Sequence, residues 1–138
     1  MNDALAAGQE TGAVIFHLPS VAEFASDKRV RKALIKSAQI DAEVACYETG
    51  QSTPMHTHPR QDEILYVVQG CASMNIGGVE HTLAAGSMVR CDHGLPHDVR
   101  NLGPERCMIA FFKLNAYLID AVMPSGMAKP RPPAPQHP

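Results

Sequence analysis

Tryptophan is absent from this chain of 138 residues, and the other aromatic residues, three Tyr and four Phe, make up only 5% of it. Such a composition offers few flat surfaces on which nucleic-acid bases or sugar rings could stack. Basic and acidic residues nearly balance, at 12 and 14, and the net charge of -2 leaves no electrostatic footprint for nucleic acid or an anionic membrane. The expected partner is therefore a small molecule or a protein, with no nucleic acid and no membrane.

Long hydrophobic runs are also missing. The longest, residues 64–68 and 107–112, fall far short of the roughly 18 apolar residues that a membrane-spanning helix needs. The first 12 residues contain no Lys or Arg and no continuous apolar stretch, so they do not resemble a secretory signal. We therefore expect a cytoplasmic protein.

The four cysteines show no paired C-x-x-C spacing. They stand about twenty residues apart, and three of them lie in or beside apolar runs. This distribution favours reduced, mostly buried thiols over a disulfide framework.

The length and the 45% hydrophobic content suit a single domain. Six of the 15 residues from 124 to 138 are proline, a composition that neither continues a sheet nor packs a core. Residues 1–12 are small and polar. We therefore predict a flexible N-terminal segment at 1–12, one folded domain at 13–123 and a flexible tail at 124–138.

Within the folded unit the hydrophobic period is mostly two. Residues 40–46 alternate in the manner of a strand with one buried face, and residues 72–83 alternate on both sides of Gly77-Gly78, which predicts a hairpin. The apolar runs at 64–68 and 107–112 indicate strands buried on both faces. Short strands at this spacing predict an all-β barrel or sandwich.

Two short helices are plausible at the margins. Residues 20–23, Ser-Val-Ala-Glu, fit a capping box and predict a short helix that continues through Phe24. Residues 117–123 could form one or two helical turns or a last strand.

Histidines provide the most informative chemical pattern. His56 and His58 are separated by one residue, so their imidazoles project to the same side of an extended chain, and Glu63 needs only a short turn to join them. His97 follows a Gly and Pro bend and supplies a third imidazole. Such a set suits divalent iron, manganese, nickel, copper or zinc, although a lone histidine is more often a core or surface residue.

The spacing of these residues resembles two motifs of the cupin family. Gly50-(x)5-His56-x-His58-(x)4-Glu63-(x)6-Gly70 is similar to the first cupin motif at every defined position. The second motif, G-(x)5-P-x-G-(x)2-H-(x)3-N, is matched by Gly86, Gly94, His97 and Asn101, and it departs only where Asp92 replaces the proline.

This resemblance implies a conical antiparallel barrel of six to ten strands in two packed sheets, the double-stranded β-helix or jelly roll of small bacterial cupins. It also implies one divalent transition metal per chain, held near the mouth by His56, His58, Glu63 and His97. A homodimer is implied too, joined through edge strands or barrel flanks, for which residues 33–37 and 44–48 are the candidate edges.

Other residues of the motifs are expected to have backbone roles. Gly50, Gly70, Gly86 and Gly94 would hold turns between strands. Asn101 would close a turn rather than touch substrate. Asp92 could cap a turn, which we favour, or lean into the mouth.

No catalytic residue is assigned from the sequence. Candidates for a base or a pocket-lining group behind the ligands are Tyr47, Tyr66, Arg90 and Arg100, each of which could equally face solvent or core, together with His81. Asp62 would point away from Glu63 into solvent. His17, His93 and His137 lack partners at ligand spacing.

The expected function is a metal-dependent enzyme that acts on a small oxygenated organic molecule. A dioxygenase is placed narrowly ahead of an isomerase, a lyase or a decarboxylase, since apolar barrel walls would exclude water from reactive intermediates. The alternative is a non-catalytic module that binds or senses a small molecule through the metal. A third possibility is a metal that only stabilises the barrel. The fold by itself does not choose among these functions.

Overall fold

The computed structural model describes residues 12–115, which form nine β-strands and one short 3-10 helix, Leu18–Val21. The strands are β1 (Val30–Lys36), β2 (Ile40–Tyr47), β3 (Ser52–His56), β4 (Gln61–Gln69), β5 (Cys71–Ile76), β6 (Val79–Ala84), β7 (Met88–Cys91), β8 (His97–Arg100) and β9 (Cys107–Asn115). Every strand pairing in this part of the chain is antiparallel, which confirms the all-β prediction.

The strands form two sheets. The larger has the order β1-β2-β9-β4-β7, and the smaller has the order β3-β8-β5-β6. Because β3 and β4 are consecutive in the chain but lie in different sheets, the residues around the loop between them lie where the two sheets meet. This two-sheet jelly-roll arrangement is the one expected from the sequence.

Along its inner face the larger sheet changes from apolar to charged. Neighbouring residues of β2, β9 and β4 form successive rows across the sheet: Ala45, Ile109 and Val67, then Glu43, Phe111 and Leu65, then Asp41, Lys113 and Glu63. The apolar residues of the first two rows belong to the buried core between the sheets. The charged row marks the end of the barrel at which polar side chains can reach a ligand.

The outer face of the larger sheet carries a second core. Val44, Cys46 and Met108 are fully buried there, beneath a covering segment that includes Phe16 and Phe24. The prediction of one buried face for β2 is therefore wrong, because Ala45 and Tyr47 are buried against the barrel interior as well. The alternation identified the face that the N-terminal segment covers.

The hairpin and the reduced cysteines are confirmed. β5 pairs with β6 through Gly77-Gly78, and both glycines adopt positive φ, at 59° and 92°. The motif glycines also have positive φ: Gly50, Gly70, Gly86 and Gly94. All four cysteines are free, and the buried ones are Cys46, Cys91 and Cys107.

Two predictions of local structure were wrong. The N-terminal helix is a single 3-10 turn, because Pro19 lies in its first positions and Ser20 lies inside it, bonded to His17 at 2.6 Å, rather than at its N-cap. Residues 44–48 do not provide a free edge, because β2 lies between β1 and β9. The homodimer stays a prediction, and β1, which contains residues 33–36 of the first candidate edge, is one of the edge strands among the described residues.

Other predictions concern residues outside the described range. The helix or strand expected at 117–123 lies there, as do the segments 1–11 and 124–138 and His137. No helix among the described residues is long and apolar enough to cross a membrane.

Candidate metal centre and its cavity

Four side chains from the two sheets converge at the charged end of the barrel. His56 ends β3 and His97 begins β8, and the two are paired across the smaller sheet. Glu63 comes from β4 of the larger sheet, and His58 comes from the loop between β3 and β4. The cluster therefore bridges the two sheets.

The cluster is compact. One ligand atom from each of the four side chains lies within 4.8 Å of the others. The Nε2 atom of His97 lies 2.8 Å from Oε1 of Glu63, and Nε2 of His58 lies 3.4 Å from the same oxygen. Glu63 and His97 are buried, whereas His56 and His58 are partly exposed, so the cluster is open on one side.

Backbone carbonyls fix the tautomers of two histidines. Nδ1 of His56 donates to the carbonyl of Pro54 at 2.8 Å, and Nδ1 of His97 donates to the carbonyl of Leu95 at 2.9 Å. A carbonyl oxygen can only accept, so in each neutral ring Nδ1 carries the proton and Nε2 keeps its lone pair. Histidine ligands of metals are commonly oriented in this way.

The inner histidines differ in their preference for a proton. Burial lowers the pKa of His97, but the hydrogen bonds that its protonated ring makes to Glu63 and to the Leu95 carbonyl, with the charge of Glu63, raise that pKa overall. Burial lowers the pKa of His58, and although the charge of Glu63 opposes this, the pKa remains below its ordinary value. His58 is thus kept neutral, as a ligand must be.

The donor set fits a divalent transition metal. Nε2 of His58 is buried and has no hydrogen-bond partner among the described residues. An unsatisfied buried polar atom costs about 1–3 kcal/mol, and coordination of an ion would satisfy it. Three imidazole nitrogens and one carboxylate oxygen suit iron, manganese, nickel, copper or zinc, so the cluster could hold one such ion.

A cavity of about 330 Å³ opens beside the cluster. Its walls include three of the candidate ligands, His56, His58 and Glu63. The remaining lining residues come mostly from β1, β2, β3 and β9: Arg29, Arg31, Glu43, Ala45, Thr53, Pro54, Met55, Phe111 and Lys113. A cavity at the small end of the range for ligand sites suits a molecule of metabolite size.

Sequence reasoning missed the charged residues of this cavity, which are Arg29, Arg31, Glu43 and Lys113. The alternation along β2 places Glu43 on a solvent face, but that face in fact lines the barrel interior. The alternation of Ile109, Phe111 and Lys113 along β9 carried a signal, because it places the lysine on the same face as the core residues. β1 showed no comparable pattern in the sequence.

The two tyrosine candidates do not line the cavity. Tyr47 is fully buried in the interior core, and its hydroxyl lies 2.7 Å from the hydroxyl of Thr53, which does line the cavity. Burial raises the pKa of Tyr47 well above its ordinary value. Tyr66 lies on the opposite face of β4 from Glu63, packed against the outer core. Tyr47 therefore supports the wall, and Tyr66 has no access to the cavity.

The arginine candidates and Asp92 make ion pairs elsewhere. Arg90 pairs with Asp92 at 2.9 Å, and Arg100 pairs with Glu80 at 2.6 Å and with Asp98 at 3.1 Å. The Asp92 carbonyl accepts the N–H of Leu95 at 3.1 Å, which closes a turn before His97. Asp92 thus lies in a turn through its backbone while its side chain pairs with Arg90, so the capping role favoured for that side chain stays a prediction, and none of these arginines lines the cavity.

The remaining candidate, His81, lies opposite Met74 in the β5–β6 hairpin. It is partly buried and belongs neither to the ligand cluster nor to the residues that line the cavity. The cavity-lining role considered for His81 is therefore not what the structure shows.

Two polar residues outside the cluster hold loops. Asp62 accepts the backbone N–H of His93 at 2.8 Å and also contacts its ring, so it anchors the loop before His97 rather than facing solvent alone. Asn101 is fully buried and donates to the carbonyls of Tyr47 and Glu105, at 3.0 and 2.8 Å. Its side-chain oxygen accepts the N–H of Gly103, so it closes a turn.

Comparisons with known proteins agree with this architecture. A family model described as "Cupin domain" matches residues 43–113. No curated protein sequence matches the chain significantly. Similar solved structures include TT1209 from Thermus thermophilus (23% identity, 73% of this chain and 96% of that chain, TM-score 0.70). KdgF from Halomonas sp. is also similar, with 23% identity over 76% of this chain and 96% of that chain and a TM-score of 0.63. The Cnp3 cupin domain of Schizosaccharomyces pombe has 16% identity over 84% of this chain and 82% of that chain and a TM-score of 0.69. At these identities the likeness shows the fold alone.

Proposed function

Because the chain belongs to the cupin family, we propose that it is a metal-dependent enzyme acting on a small oxygenated organic molecule. His56, His58, Glu63 and His97 would hold one divalent transition metal per chain. The convergence of their ligand atoms within 4.8 Å, beside a cavity of about 330 Å³, carries this proposal. A cluster that is open on the cavity side leaves coordination positions for a substrate, which distinguishes a working metal from a structural one.

The chain's own residues have distinct roles in this site. The bound ion would polarise and orient an oxygenated substrate. His56 and His97 keep a fixed ring orientation through their backbone hydrogen bonds, so that the site is organised before a ligand arrives. Glu43 and Lys113 line the cavity with 4.0 Å between carboxylate and ammonium, and they are the groups that could hold or deliver a proton.

Among possible reactions, we place a dioxygenase narrowly ahead of an isomerase, a lyase or a decarboxylase. Phe111 and Ala45 join the cavity to the apolar core and shield that side of the site from water. The metal decides between the classes, since iron supports oxygen chemistry, whereas zinc, nickel or manganese supports Lewis-acid chemistry.

A second candidate is a non-catalytic module that binds or senses a small molecule through the metal. The observation that favours this non-catalytic module is that none of the four candidates for a base or pocket-lining group lines the cavity: Tyr47, Tyr66, Arg90 and Arg100. Turnover of a substrate, as opposed to binding alone, separates the two candidates.

Elemental analysis of the purified protein tests the site. The wild type is expected to contain close to one transition-metal equivalent per chain, and His56→Ala to lose most of it. His81→Ala is the matched control, since this histidine lies in the same sheet but outside the cluster, and it should keep the wild-type content.

An unchanged metal content in His56→Ala would show that the ligand assignment is wrong. Iron in the wild type would support the dioxygenase, and zinc or nickel would support an isomerase or lyase. A chelator that lowers the Tm, with no small molecule raising it, would point instead to an ion that only stabilises the barrel.

A further inference from the structure

The wall of the cavity outside the ligand cluster is rich in positive charge. It contains three cationic side chains, Arg29, Arg31 and Lys113, and one carboxylate, Glu43. This excess contrasts with the net charge of -2 of the whole chain, so it is a local property of the cavity. A concave site lined by charge of one sign raises the local concentration of oppositely charged ligands.

Glu43 compensates only part of this charge. One of its oxygens accepts from both Nε and Nη2 of Arg31, at 3.3 and 3.1 Å. Its other oxygen lies 4.0 Å from Nζ of Lys113. A single carboxylate is therefore shared between two cations of the cavity wall, which together with Arg29 leaves this part of the wall with a net charge of +2.

Arg29 has an unused hydrogen-bonding group. Its Nη1 donates to the carbonyl of Ser52 at 3.2 Å, while its Nε is buried and has no hydrogen-bond partner among the described residues. Such a group is costly to bury, because a charged donor loses its water without gaining an acceptor.

Two other arginines show what normally occupies this position. Arg31 directs Nε and Nη2 to Glu43, and Arg106 directs the same two atoms to the two oxygens of Glu48, each at 3.1 Å. The planar guanidinium fork matches the geometry of a carboxylate. Arg29 lines the cavity, and no carboxylate of the described chain binds its Nε. Because that nitrogen is itself enclosed by protein, a ligand carboxylate would contact Arg29 from the cavity side.

We infer that the ligand of this cavity is a small organic acid whose carboxylate binds Arg29, with Lys113 adding charge attraction. This inference rests on the proposed function and narrows its substrate class to molecules that carry a carboxylate as well as the oxygenated group facing the metal cluster. The volume of about 330 Å³ limits the acid to a compact molecule.

Calorimetric titration of the metal-bearing protein tests the inference. Pyruvate, malonate and succinate serve as the probes, with malonamide and succinamide as uncharged counterparts of the two diacids. At least one acid is expected to bind more tightly than the amides, and Arg29→Gln is expected to weaken that binding by about 10- to 100-fold, the loss of a charge-assisted hydrogen-bond pair.

Arg106→Gln is the matched control. It removes the same fork from a surface pair with Glu48 outside the cavity, so acid binding should be unchanged. The metal content of every sample is measured alongside, and Arg29→Gln should retain it, because Arg29 is not one of the candidate ligands.

The outcomes separate the two proposals. Acids that bind no better than amides, or that bind Arg29→Gln as well as the wild type, overturn the inference while a full metal content leaves the proposed function standing. Inorganic phosphate binding more tightly than every acid also overturns the carboxylate assignment. A wild type without transition metal refutes the proposed function itself.

Discussion

Replacing Gly70 with alanine is expected to destabilise the protein by about 2–5 kcal/mol in its free energy of unfolding. Gly70 has a φ of +79°, a region in which an L-residue costs about 1–2 kcal/mol. A Cβ atom there would also lie 2.2 Å from the backbone carbonyl oxygen of Arg106, and the backbone shift that relieves this overlap costs about 1–3 kcal/mol more. Such a loss is a large part of the about 5–15 kcal/mol that stabilises an ordinary domain.

Gly86→Ala is the control that isolates the overlap. Gly86 has a similar φ of +94°, but nothing lies within 4 Å of the added Cβ, so only the backbone term applies. Because tryptophan is absent, urea unfolding is best followed by far-UV circular dichroism. If Gly70→Ala and Gly86→Ala are equally stable within about 0.5 kcal/mol, the scale of an ordinary surface substitution, the close approach of Gly70 to β9 does not constrain the fold as described.

Two further predictions concern buried polar and thiol groups. Asn101→Asp is expected to lose about 2–4 kcal/mol at neutral pH, because a carboxylate would face the carbonyls of Tyr47 and Glu105 in place of an amide donor. A urea midpoint equal to that of the wild type would contradict the role given to Asn101. Iodoacetamide at pH 8 is expected to label Cys71, which is exposed, and to spare the three buried cysteines, because burial raises the pKa of two of them to about 12. Peptide mass spectrometry counts the labelled sites, and modification of all four in the native protein would contradict the burial described for Cys46, Cys91 and Cys107.

The parts of the fold that were predictable depend on local signals. Gly77-Gly78 marked the β5–β6 hairpin because two adjacent glycines between alternating segments can adopt the positive φ angles that a tight hairpin turn requires. The His56-x-His58 spacing and Glu63 marked three members of the cluster, although His58 lies in the loop after β3, and the fourth member, His97, was marked by the second motif. Both signals need only residues that are close in the chain.

The predictions that failed concern features that depend on contacts between residues far apart in the chain. The alternation on β2 predicts that Val44 faces the interior, yet the N-terminal segment covers that face, and no local pattern shows that a segment some twenty residues earlier packs there. Glu43 consequently seemed solvent-exposed. Its meeting with Arg31 and Lys113 depends on the register of β1, β2 and β9, which the sequence does not state.

The change from apolar to charged rows along the barrel interior separates the residues that stabilise the fold from those that line the cavity. Hydrophobic burial, which stabilises the rows at one end, weakens on cooling, whereas the attraction between partly exposed charges at the other end weakens with added salt. Stability and ligand preference therefore depend on different residues and respond to different conditions. If the cavity binds an organic acid as proposed, substitutions at Arg29 or Lys113 would change which small molecule it accepts, while the rows through Ile109 and Leu65 continue to stabilise the fold.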